Sequence, residues 1–224
     1  MKISILGTGI VGMTIAERLS SLGNEVYMGT RDPGETIKRD PGKGPSFSEW
    51  LKSNPSIELK AFKDLPADSS IFINATNGNA SMVALKLTGK NMDGKVLIDI
   101  SNPLDFSNGM PPSLFVCNTD SLSEQIQKEF PEVRVVKSLN TMNCRIMMDP
   151  TIVKGEHNVF MSGNDTPAKA EVRELLRSVG WPEESIIDLG DLSTARGTEM
   201  LLPLWLRLWG AAGHANFNFH IAGL

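Results

Sequence analysis

Residues 1–12 read MKISILGTGIVG, and this stretch decides the fold. Lys2–Leu6 is rich in Ile and alternates loosely, which suits a strand. Gly7-Thr8-Gly9 breaks it, and from Ile10 to about Leu22 the apolar residues Val11, Ile15, Leu19 and Leu22 return every three or four positions, the period of a helix. Gly23-Asn24 stops that helix and Glu25–Gly29 supplies a second strand. Strand, glycine turn, helix and strand open a βαβ unit.

Further apolar runs at Ile57–Phe62, Ser70–Asn74, Val96–Asp99 and Val133–Lys137 alternate with helical patterns near Ser46–Leu51, Ser81–Leu87 and Ser121–Glu129. That alternation predicts an α/β fold, a Rossmann-type doubly wound parallel sheet. After Asp149-Pro150 the pattern becomes a strand at Asn158–Ser162, a helix at Thr166–Val179, a strand at Ser185–Leu189 and a long apolar helix from about Thr194 to Ala212. A soft boundary near Thr141–Pro150 therefore divides a nucleotide-binding domain, 1–145, from a small C-terminal α/β part, 146–224, ending in that helix. Asp32–Pro45, dense in Gly and Pro, is predicted to be a surface loop.

Composition narrows the function. With 41% hydrophobic, 21% charged and 6% aromatic residues in 224, the chain belongs to the globular class. A net charge of -4 offers no basic field for nucleic acid. No export signal precedes the first strand and no apolar run reaches membrane-spanning length, so a cytoplasmic protein without membrane partners is expected. Cys117 and Cys144 suggest neither a disulfide framework nor a metal knuckle, and no metal site is expected.

Gly7, Thr8, Gly9, Ile10, Val11 and Gly12 match G-x-G-x-x-G. The first glycine permits the turn, the second admits a diphosphate to the backbone, and the third lets helix and strand pack closely. The diphosphate then rests on free amides at the helix tip. Where NAD-binding chains place an acid to hold the ribose 2′-hydroxyl, this one has Thr30 and Arg31, a hydroxyl and a guanidinium suited to a 2′-phosphate. The expected cofactor is NADP(H). Asp32 comes late and either pairs with Arg31 or caps the loop, while Lys38 and Arg39 are candidates to add to the phosphate site.

With those residues in place, the chain resembles the NADPH-dependent coenzyme F420 reductase family, whose relatives include the oxidoreductase domains of the STEAP metalloreductases. The resemblance rests on Leu6-Gly7-Thr8-Gly9, Val11-Gly12, Gly29-Thr30-Arg31, Val135–Thr141, Ser162-Gly163-Asn164-Asp165 and, most specifically, Asp188–Arg196. It implies that Ala75, Thr76, Asn77 and Gly78, with Ser101 and Asn102, lie along the dinucleotide, and that Asn140, Thr141 and Met142 flank the nicotinamide. Ligands of open parallel sheets do lie beyond the carboxyl ends of the strands. It also implies a small-molecule redox partner, coenzyme F420 or a flavin such as FMN or FAD. Asn108–Thr119, with Gly109-Met110-Pro111-Pro112, departs from the archaeal deazaflavin reductases, so the acceptor pocket can differ.

Hydride exchange between two rings needs alignment more than acid or base, so no catalytic residue is nominated. His157, His214 and His220 fit no metal spacing and are expected to be structural or surface residues. Met200, Leu201, Leu202, Leu204, Trp205, Leu206, Leu208 and Trp209 make the last helix apolar on nearly every side, which predicts burial in the cleft or in a homodimer. Two other functions remain open on the sequence: a non-catalytic NADP(H)-sensing module, and reduction of a small carbonyl or imine.

Overall fold

The computed structural model describes residues 1–39 and 46–223. Ten strands and eight α-helices are present among them. In chain order they are β1 (Lys2–Leu6), α1 (Ile10–Ser21), β2 (Glu25–Thr30), α2 (Pro33–Lys38), α3 (Phe47–Ser53), β3 (Ile57–Ala61), β4 (Ile71–Asn74), α4 (Gly78–Thr88) and β5 (Val96–Asp99). There follow β6 (Leu104–Asp105), β7 (Ser113–Leu114), α5 (Leu122–Glu129), β8 (Arg134–Ser138), α6 (Cys144–Met148), β9 (Val159–Gly163), α7 (Thr166–Ser178), β10 (Ile186–Asp188) and α8 (Ala195–Ala212).

Eight strands form one sheet in the order β10-β9-β8-β5-β4-β1-β2-β3, while β6 and β7 make a separate antiparallel pair. From β3 to β8 every pairing is parallel, so the expected Rossmann-type α/β fold is present. The strand order reverses between β1 and β4, and a ligand crevice opens at such a point. β9 pairs antiparallel with β8, and β10 runs parallel to β9. The C-terminal strands thus extend the same sheet with reversed direction.

Alternation along the strands divides the core into two layers. Ile3, Ile5, Val26, Met28, Ile71, Ile73, Val96 and Ile98 pack with α1, α6 and α7, whereas Leu6, Tyr27, Phe72, Leu97 and Val135 pack with α4 and α5. Each such side chain contributes roughly 1.5–3 kcal/mol on burial, which pins the register, because a one-residue slip would exchange the two faces.

One expectation is corrected. Pro33–Lys38 is a helix, because Asp32 accepts a hydrogen bond from Glu35 N at 3.1 Å as N-cap and Pro33 occupies the first turn, where its missing N–H costs nothing. Residues 40–45 of the predicted loop lie outside the described residues. Helix α8 is not buried all round: Leu202 and Trp205 are buried, but Leu204 is 51% and Trp209 42% exposed, so only one face packs on this chain. No helix among the described residues is long and apolar enough to cross a membrane.

Candidate functional site

The site begins at the tip of α1. Helices α2, α3, α4, α5, α6 and α7 each carry a side-chain cap, from Asp32, Ser46, Asn77, Ser121, Asn143 and Asp165. Helix α1 has Gly9 at that position, no side-chain cap and no acid in its first turn. Its leading amides and the positive end of its dipole are therefore left for an anion. The glycines explain the access. A Cβ on Gly7, whose φ is +116°, would lie 2.6 Å from the Ala75 carbonyl oxygen, and one on Gly12 would lie 2.3 Å from that of Gly7. Around Gly9 nothing lies within 4 Å of a Cβ, so the turn is closed on the protein side and open towards the cleft. This arrangement fits a dinucleotide diphosphate.

A cavity of about 320 Å³ extends from that tip. It is lined by Gly7, Thr8, Gly9, Gly29, Thr30, Arg31, Arg39, Ala75, Thr76 and Asn77, among others. Thr30 and Thr36 share a buried hydrogen bond of 2.7 Å between hydroxyls, which ties the end of β2 to α2. Arg39, just past α2, donates from Nη2 to the Thr8 carbonyl at 2.7 Å. Two guanidiniums thus stand at the end of β2, where a 2′-phosphate needs cations and an acid would repel it. Asp32 is turned to capping and does not oppose them.

Ala75, Thr76 and Asn77 also line a second cavity of about 210 Å³, with Val11, Gly78, Ser101, Asn102, Asn140, Met142, Met147, Leu202 and Trp205. The two cavities make one cleft across the switch point. Asn102 and Asn140 are locked together: Asn140 Nδ2 donates to Asn102 Oδ1 at 2.9 Å and Asn102 Nδ2 to the Asn140 carbonyl at 3.0 Å. Close packing holds α4 against them, since a Cβ on Gly78 would sit 2.1 Å from the Asn102 carbonyl oxygen. None of the residues lining this second cavity is titratable.

Most residues expected from the sequence meet in this cleft. Four stand differently. Ile10 is 67% exposed and Gly12 packs against Gly7 without lining either cavity. Thr141 is buried behind the cleft, lining neither cavity. Lys38 lies on the outer side with Arg31 and Arg39, its ammonium 3.7 Å from Glu35. Met147 was not foreseen, because α6 gives no signal until its neighbours are known. His157 is buried, with Nε2 donating to the Pro150 carbonyl and Nδ1 accepting from Asn218, which makes it structural. A larger cavity, about 410 Å³, opens beside His157 and Trp181. It holds neither the glycine turn nor the carboxyl end of any strand, so the cleft is the better candidate.

Beneath the cleft lies a buried charge cluster. The Lys137 ammonium is 2.9 Å from both Asp99 and Glu199. Burial pushes Asp99 up, but Lys137 and the hydroxyls of Ser123 and Ser101 outweigh it and hold the carboxyl below its ordinary range. Burial likewise pulls Lys137 down, and its two carboxylate partners carry it above its ordinary value.

Residues 2–103 match the family described as NADP oxidoreductase, coenzyme F420-dependent. Rat metalloreductase STEAP3 is 28% identical over 214 residues, 91% of this chain but 38% of that protein, so the chain spans well under half of that relative. The F420-dependent NADP reductase of Methanothermobacter marburgensis is 25% identical over 221 residues, covering 93% of this chain and 92% of that one. A crystal structure from Arthrobacter sp. FB24, described as a candidate F420-dependent NADP reductase, is 57% identical with a TM-score of 0.94 over 99% of both chains. An imine reductase from Myxococcus stipitatus, 12% identical, covers 95% of this chain and 62% of that one with a TM-score of 0.61 and shares the fold alone.

Proposed function

The chain belongs to the coenzyme F420-dependent NADP oxidoreductase family and is an NADP-dependent oxidoreductase; from that premise we propose that its hydride partner is a deazaflavin of the F420 type or a flavin ring such as FMN or FAD. One observation carries the choice of partner: the second cavity is walled by apolar, amide and hydroxyl side chains and holds no titratable one. Reduction of a carbonyl or imine calls for a proton donor in reach of the reacting atom, whereas exchange between two rings does not.

The uncapped leading amides of α1, reached past Gly7 and Gly9, would hold the diphosphate, with Thr30, Arg31 and Arg39 around the 2′-phosphate. Thr76, Asn77, Ser101, Asn102, Asn140 and Met142 would hold the nicotinamide end, and Leu202 and Trp205 would face the acceptor. When bound, the nicotinamide supplies the hydride chemistry at C4. The chain aligns the rings and excludes water, which is worth several powers of ten when the reacting atoms are held at near-attack distance. Trp205 stacks on Phe217 and Trp209 at centroid distances of 5.3 and 6.1 Å, so the one indole that lines this cavity is backed by two further rings.

The test follows NADPH oxidation at saturating cofactor with coenzyme F420, FMN, FAD and riboflavin, and with a panel of small imines and carbonyls. Turnover with a ring acceptor supports the reading; turnover confined to the imine or carbonyl panel, or tight NADPH binding with none at all, overturns it. For assembly, the exposed stripe of Met200, Leu204, Leu208 and Trp209 favours a homodimer through α8. Sedimentation of the wild type and of Leu204→Glu checks that.

A further inference from the structure

Lys137, Asp99 and Glu199 are 1%, 0% and 1% exposed, and none of them lines the cleft. The ammonium reaches three acceptors: Asp99 Oδ2 at 2.9 Å, Glu199 Oε1 at 2.9 Å and the Ser101 carbonyl at 2.5 Å. Asp99 is held in turn by Asn74, Ser101 and Ser123. Glu199 accepts from the leading amides of α5, Leu122 N at 2.9 Å and Ser123 N at 3.2 Å. The cluster is thus satisfied within the protein and has nothing left to offer a ligand directly.

What it holds does border the cleft. On one side is Ser101, followed by Asn102, at the end of β5. On the other is the first part of α8, which carries Leu202 and Trp205 as the opposite wall. The residue before Glu199 adds a second tie, because the Thr198 carbonyl accepts from Asn140 Nδ2 at 3.1 Å, the same amide that donates to Asn102. We infer that the Lys137–Glu199 pair is a positioning device that fixes the separation of the Ser101–Asn102 wall from the Leu202–Trp205 wall, and so sets the approach of the two rings.

This inference rests on the reading that hydride exchange occurs between those walls. Stability alone does not call for the pair: well-packed apolar side chains would fill the same space without the desolvation that buried charges suffer. An ion pair with fixed donor and acceptor directions ties one point on β8 to one point on α8, and through the Ser101 carbonyl to the end of β5. Hydride exchange is sensitive to the separation of the walls.

The test compares wild type with Glu199→Gln, which keeps the shape and removes the charge, Glu199→Asp, which keeps the charge on a shorter arm, and the double variant Lys137→Met/Glu199→Met. Glu199→Gln leaves the Lys137–Asp99 pair intact and so guards against loss of folding from an orphaned charge, whereas the double variant strands the Asp99 carboxylate and shows what that loss does to Tm. Measurements are the NADPH Kd, the kcat with the wild-type ring acceptor, the isotope effect with C4-deuterated NADPH, and Tm. The expectation is a kcat lowered by about ten- to a hundredfold in Glu199→Gln and the double variant, less in Glu199→Asp, with the isotope effect enlarged and the NADPH Kd within about twofold. A lowered Tm with kcat and isotope effect unchanged makes the pair merely structural and overturns the inference alone. A wild type inactive with every ring acceptor overturns the parent reading, and this inference falls with it.

Discussion

Replacing Arg31 by Glu separates cofactor recognition from stability. The Arg31 guanidinium lines the cavity beside Thr30 and Arg39 and has no hydrogen-bond or ion-pair partner among the described residues. Its loss therefore removes little from the fold, and Tm should stay within about 2 °C of wild type. Binding is another matter. A charge-assisted hydrogen bond to a phosphate contributes about 1.5–3 kcal/mol, a factor of roughly 10 to 150. The new carboxylate adds repulsion of about 1 kcal/mol, taking roughly 5 Å separation in a nearly aqueous dielectric. The NADPH Kd should thus rise on the order of 10²- to 10³-fold, while NADH, which lacks the 2′-phosphate, shifts by no more than about threefold. Arg39 remains, so some preference should survive and fall further in Arg31→Glu/Arg39→Ala. Fluorescence titration of both nucleotides at fixed salt measures the ratio. Equal losses for NADPH and NADH would refute the assignment of Arg31 to the 2′-phosphate.

Three other outcomes are expected. Gly12→Ala places a Cβ 2.3 Å from the Gly7 carbonyl oxygen, so NADPH and NADH binding should fail together and chemical denaturation should show a loss of about 1–3 kcal/mol; normal NADH binding would contradict the close packing of turn and helix. Trp205→Ala should raise the acceptor KM by about tenfold or more with the NADPH Kd nearly unchanged, and a rise in the NADPH Kd instead would move the indole from the acceptor wall to the cofactor wall. The pH dependence follows from the buried cluster. The stability due to Asp99 is complete above its unfolded value of about 3.9 and is lost as pH falls through its lower folded value, whereas that due to Lys137 is complete below about 10.4 and is lost as pH rises through its higher folded value. Lys137→Met should move the acid limb of a Tm profile to higher pH, and an unmoved limb would show that the lysine does not sustain the Asp99 carboxylate.

The sequence by itself determined the sheet and the cofactor end of the cleft, because those depend on local rules. Period-two strands and a glycine turn before a period-3.6 helix are written within a dozen residues, and the Thr30-Arg31 pair follows at the end of the next strand. Even the helix at Pro33–Lys38 was legible in Asp32-Pro33-Gly34-Glu35, a cap followed by a first-turn proline, although the density of Gly and Pro suggested a loop. The family resemblance had already set Asn140 and Met142 at the other end of the cleft, and only the tertiary structure decided what closes it. Met147, Leu202 and Trp205 come from elements far apart in the chain, and their meeting depends on how α6 and α8 pack across the strand ends. The same holds for Lys137, Asp99 and Glu199: a lone charge in an apolar run carries no sign of its partner, since burial of a charge is decided by what folding brings beside it. Apolar content could not tell which face of α8 packs on its own chain, because hydrophobicity states that a surface leaves water and not what covers it.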